Sequence, residues 1–266
     1  MTMTSINSES VRVPRRFTTA LLAALNIIGT ACGTTDAEGP LQPSGPQGRV
    51  RFVNVITDTT RGRVNAILES LPFGVNLTYT QSTPATLAAP NTAFYSAVLA
   101  GSRTLVLKRT ADTNTTVATI GISVTASQDR TIYAIGGASG TAVTAFQTVD
   151  DNALPASGQA RIRVVHLSPT AGAVDIFVTA VGADLATATP TLSNVANQTA
   201  SSYLSLAAGT YQVRVVRAGT AAASRAGAVA INVAGLAITA GTGRTIVAVD
   251  NNVGGAPLRA FVLSDQ

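Results

Sequence analysis

A long internal repeat constrains this chain more than any other feature. Gly48-Arg-Val-Arg-Phe-Val-Asn54 returns as Ala160-Arg-Ile-Arg-Val-Val-His166, and Tyr95-Ser-Ala-Val-Leu-Ala-Gly101 as Tyr203-Leu-Ser-Leu-Ala-Ala-Gly209. Asp129-Arg-Thr-Ile-Tyr-Ala-Ile135 returns as Gly243-Arg-Thr-Ile-Val-Ala-Val249, and both copies close on Ala-Phe, at Ala145-Phe146 and Ala260-Phe261. The matches keep their order at spacings far longer than a solenoid unit of roughly 20–50 residues, so a whole domain is duplicated. The expected organisation is a domain over 49–150, a linker over 151–159 and a second domain over 160–266.

Within each copy the apolar pattern has a period of two. Arg49–Val55, Arg103–Lys108, Thr115–Val124 and Arg130–Ile135 are rich in Val, Ile and Thr and bounded by turn residues, as β-strands are. The second copy repeats them at Arg161–Leu167, Val174–Thr179, Tyr211–Arg217, Ala228–Val233 and Arg244–Asp250. No stretch keeps a capped helical stripe. The pattern predicts an all-β fold: two tandem immunoglobulin-like β-sandwich domains, without an inter-sheet disulfide because the one cysteine lies elsewhere. The linker, with Pro155 and Gly158, reads as a joint between beads of limited relative freedom.

The N-terminus carries an address. Polar residues ending in Arg15-Arg16 precede the uncharged apolar run Phe17–Ala31, the layout of a secretory signal and too short for a stable membrane span. Cys32 follows Gly29-Thr-Ala31, which resembles the bacterial lipobox, although Gly29 stands where that pattern prefers Leu. The resemblance implies a signal segment over 1–32 and lipid attachment at Cys32; the alternative is ordinary cleavage. An exported chain anchored this way belongs in a bacterial cell envelope, at the outer membrane if the host has two. Residues 33–48, rich in Gly and Pro, read as a flexible tether.

The second copy resembles a known family. Arg161-Ile-Arg-Val-Val-His-Leu-Ser-Pro169, Gly172-Ala-Val-Asp-Ile-Phe-Val178 and Leu206-Ala-Ala-Gly-Thr-Tyr211 are similar to the bacterial domain of unknown function 4397. That resemblance covers both copies and implies immunoglobulin-like domains, often in tandem, in envelope lipoproteins. It implies no activity.

Candidate chemistry is sparse. His166 is the only histidine, with Ser168 and Asp175 near it in sequence. No Gly-x-Ser-x-Gly elbow surrounds Ser168, so a hydrolase is disfavoured. In the first copy Asn54 and Asn65 replace His166 and Asp175, a joint exchange that a hydrogen-bonded bridge tolerates and a catalytic dyad does not. The expectation is a structural polar clamp, His166 with Asp175 and Asn54 with Asn65, and no catalytic group. No cofactor or metal is expected: Asp150-Asp-Asn152 and Asp250-Asn-Asn252 offer oxygens but read as turns. The net charge of +5 falls to +3 once Arg12, Arg15, Arg16 and Glu9 leave with the signal. The arginines are scattered, so nucleic acid is not an expected partner. The expected function is a non-enzymatic envelope lipoprotein making structural or adhesive protein contacts through its sheet edges. The alternative is a polysaccharide or small-ligand binder using the Thr/Ala/Pro loops at 77–92 and 183–201.

Overall fold

The computed structural model describes residues 45–84 and 94–266. The signal segment, Cys32 and most of the tether lie outside the described residues. The first half contains nine strands: β1 (Gln47–Ile56), β2 (Val64–Leu68), β3 (Leu71–Leu77), β4 (Ser82–Thr83), β5 (Ser96–Leu99), β6 (Gly101–Arg109), β7 (Asp112–Val124), β8 (Asp129–Gly136) and β9 (Val143–Asp150). The second half contains nine more: β10 (Gln159–Leu167), β11 (Val174–Ala180), β12 (Leu192–Val195), β13 (Thr199–Ala200), β14 (Leu204–Ala207), β15 (Gly209–Arg217), β16 (Val229–Ile238), β17 (Gly243–Val249) and β18 (Arg259–Ser264). Each half is an all-β sandwich. Strand β1 begins at Gln47 and pairs there with Leu99, so the last residues assigned to the tether are already sheet.

The halves share one topology. In the first, β4 and β5 both pair with β1, which pairs with β8 and then β9; the facing sheet runs β3-β2-β6-β7. In the second, β13 and β14 pair with β10, then β17 and β18, facing β12-β11-β15-β16. The β1–β8 and β10–β17 pairs are parallel and the other pairs antiparallel. Each sandwich closes on its own core. Val50, Phe52 and Ile56 of β1 meet Val64, Leu105, Leu107 and Ile122. In the second half Ile162 and Val164 meet Ile176, Val215 and Ile231.

The halves are not separate beads. A third core joins them: Val53, Val55, Tyr133 and Ile135 of β1 and β8 pack with Val165, Leu167, Val247, Val249 and Leu263 of β10, β17 and β18. Strands β1, β8, β10 and β17 are therefore apolar on both faces, one toward their own sandwich and one toward the other half. The loop after β17 also crosses over. Gly254 has φ 86, and a Cβ there would lie 3.0 Å from the Ala138 Cβ of the first half. The linker is tied rather than free. Asp151 pairs with Arg161, Asn152 donates to Asp129, and Arg161 donates to the Ala153 carbonyl.

Candidate functional site

At the residue level the polar positions form two sets, neither arranged as expected. The first set is the clamp. His166 and Asp175 share no hydrogen bond, because strand parity points them to different sides. On β10, His166 has the parity of core residues Ile162 and Val164 and faces into its sandwich. On β11, Val174 and Ile176 take the core side, which turns Asp175 outward.

Each residue nevertheless does what its counterpart does. His166 Nε2 donates to the Gly172 carbonyl at 2.7 Å, and its Nδ1 accepts from the Ser168 N–H at 3.4 Å. Asn54 Nδ2 donates to the Gly62 carbonyl at 2.6 Å, and its Oδ1 accepts from the Ile56 N–H at 3.1 Å. An amide thus reproduces the donor and acceptor of a neutral imidazole. Outside, Asp175 accepts from the Asn194 N–H at 2.9 Å and Asn65 from the Asn76 N–H at 2.8 Å. Asn76 and Asn194 both adopt left-handed φ, 56 and 53. The expected pair is therefore two independent clamps per half. Burial holds the His166 ring below its ordinary value against the opposing pull of the Gly172 carbonyl. The Ser168 hydroxyl donates to Asp250, not to the imidazole.

The second set lies between the halves and is a reciprocal cross. Arg51 Nη2 reaches Asp265 at 2.7 Å and its Nη1 donates to the Ser264 carbonyl at 2.7 Å. Arg163 Nη2 reaches Asp150 at 2.5 Å and its Nη1 donates to the Val149 carbonyl at 3.3 Å. Arg51 Nε donates to Thr131 and Arg163 Nε to Thr245, while those threonines donate to Asp150 and Asp265. Tyr95 and Tyr203 donate to the same two carboxylates at 2.8 and 3.1 Å. Each phenol ring also lies under a guanidinium, 4.6 Å from Arg51 and 4.9 Å from Arg163. All four charged groups are 5 % exposed or less. Burial works against charge on both arginines, yet the surrounding phenols and carboxylates outweigh it and hold both above the ordinary value. Asp150, read from sequence as a turn residue, is thus a buried counter-ion.

The sequence carries a signal for this cross. Arg-x-Arg opens both copies, and Ala-Phe is followed in both by Asp five places after the Ala, at Asp150 and Asp265.

An open cleft of 530 Å³ lies between the halves and another of 760 Å³ on the first half beside the linker, and their charged side chains are already paired. Among the described residues no group of three or more His, Cys, Asp or Glu is placed to hold a metal, and no helix is long and apolar enough to cross a membrane. The loop at 183–191 packs onto its own sheet, with Leu185 buried beside Phe177 and Val216 and Arg225 donating to the Ala188 carbonyl. Only part of the 77–92 loop is described; it includes β4.

Residues 48–177 match the family model described as Domain of unknown function (DUF4397). That stretch, just under half of the chain, is similar to the family. The DUF4397 stretch runs through the first half, across the linker and into β11, so it contains all four clamp residues and the Arg163–Asp150 pair. No curated protein matches the chain. A solved leucine-rich repeat protein from Bacteroides thetaiotaomicron VPI-5482 is similar at 15% identity and TM-score 0.18, over 77% of this chain and 26% of that one. The chain thus spans about a quarter of that protein, and so low a TM-score establishes no common fold.

Proposed function

We propose that this DUF4397-containing chain is a non-enzymatic envelope lipoprotein, held to the membrane by lipid on Cys32. Its paired sandwiches act as a rigid unit for structural or adhesive protein contacts. One observation carries the reading: the buried charged groups between the halves are consumed in bridging them, each arginine closed by a carboxylate, a carbonyl and a threonine. Groups spent in this way stiffen a scaffold and are themselves turned away from solvent.

The anchor and the contacts are tested together. Labelled palmitate enters the wild-type chain and not the Cys32→Ser variant, and the variant leaves the membrane fraction. Crosslinking in intact envelopes captures a discrete protein neighbour. Palmitate entering both chains equally contradicts the anchor, and recovery of the chain with polysaccharide but no protein contradicts the contact reading.

A further inference from the structure

The cross between the halves is reciprocal in its hydrogen bonds, and Arg51 lies in addition 3.8 Å from Asp150 of its own half. Each face presents one arginine arm and one carboxylate, and each receives the same pair from its partner: Arg51 takes Asp265 and the Ser264 carbonyl, Arg163 takes Asp150 and the Val149 carbonyl. The apolar part follows the same plan, with β1 and β8 supplying one wall and β10, β17 and β18 the other. None of these residues belongs to the segment that joins the halves. That segment, Asp151 to Gly158, touches the rim through Arg161, Asp129 and Gln266. It is also turned outward, with Leu154 83% exposed.

We propose that these two faces are a portable recognition pair, and that two copies of this chain assemble by exchanging halves, the first half of one closing on the second half of the other. The contacts in such a dimer are those of the single chain, so the interface free energy cancels. The balance is then set by concentration and by the joining segment. The eight residues of that segment reach roughly 25 Å when extended. The faces also select against pairing like with like. Tyr133 on the first face corresponds to Val247 on the second, so two first-half faces would bring two tyrosines into the apolar seam in place of one. The closed product is a two-chain exchange, whether or not Cys32 carries lipid.

Charge reversal in the full chain tests this directly. Arg51→Asp alone brings a second carboxylate against Asp265, and Asp265→Arg alone brings a second guanidinium against Arg51, so neither chain closes on itself. Mixed after unfolding and refolding together, they complement: one exchanged interface carries a reversed pair and the other the native pair. The expected result is a species of twice the chain mass containing one copy of each variant, at least tenfold more abundant than any dimer of either variant alone. The double variant Arg51→Asp/Asp265→Arg, with its pair restored within one chain, refolds as a monomer at low concentration. Two outcomes overturn the proposal: no mixed dimer, or equal dimerisation of either single variant alone.

Discussion

At the scale of single residues, the duplication supplies its own controls. Half one uses Asn54 where half two uses His166, and both close the same turn carbonyl and the same backbone N–H two residues on. His166→Asn is therefore expected to cost under about 1 kcal/mol, whereas His166→Ala, which orphans the half-buried Gly172 carbonyl, costs about 1–3 kcal/mol in chemical denaturation. The sign of the pH effect follows from the lowered pKa of the buried ring. Below the ordinary value of 6.5 the unfolded chain takes up a proton that the folded chain resists. Stability then falls as pH drops through that window until the folded ring protonates as well. This loss disappears in His166→Asn, and an unchanged slope between the two chains would count against it. Tyr133 offers the opposite case. Its hydroxyl is buried with no hydrogen-bond partner, and burial pushes it up to about 12. The corresponding residue of the second half, Val247, lacks a hydroxyl, so Tyr133→Phe is expected to leave the melting temperature unchanged or raise it.

At the scale of strands, much of the fold is legible because Val, Ile and Thr at a period of two mark half-buried strands between turn residues. The strands expected from Arg103, Thr115 and Tyr211 form as β6, β7 and β15. Strand β3 escapes that pattern, carrying Pro72 and Gly74, which sheets tolerate best at an edge such as the one it occupies. The central strands break the period of two expected of Arg49–Val55 and Arg161–Leu167. Arg-Phe-Val-Asn-Val-Ile and Arg-Val-Val-His-Leu do not alternate strictly, and an apolar run without a polar face belongs to a strand covered on both sides. The parallel pairs β1–β8 and β10–β17 are those strands. The clamp fails as a pair for a related reason. Sequence proximity places His166 near Asp175, but parity on β10 and β11 decides the direction of each. The Arg–Asp cross is not readable from either copy alone, since the carboxylate that each arginine hydrogen-bonds lies in the other. Hydrogen exchange checks this layering: amides of β1, β8, β10 and β17 should be protected at least tenfold longer than those of the edge strands β7 and β16. Comparable rates in the two sets would contradict two-sided burial.

At the scale of the whole molecule, residues 45–266 behave as one body because the face each half would otherwise show to water is buried in the other. Removing Asp265 takes from buried Arg51 its hydrogen-bonded carboxylate and leaves it only Asp150, 3.8 Å away in its own half, at a cost of up to about 3–5 kcal/mol. Asp265→Ala should therefore destabilise both sandwiches together, although Asp265 belongs to the second. Differential scanning calorimetry of the full chain and of Asp265→Ala tests this most directly. One transition is predicted for each protein, with calorimetric and van't Hoff enthalpies in agreement and the variant's single peak moved down as a whole. Two resolved transitions in the wild type, or a variant in which one peak falls while another stays in place, would contradict it.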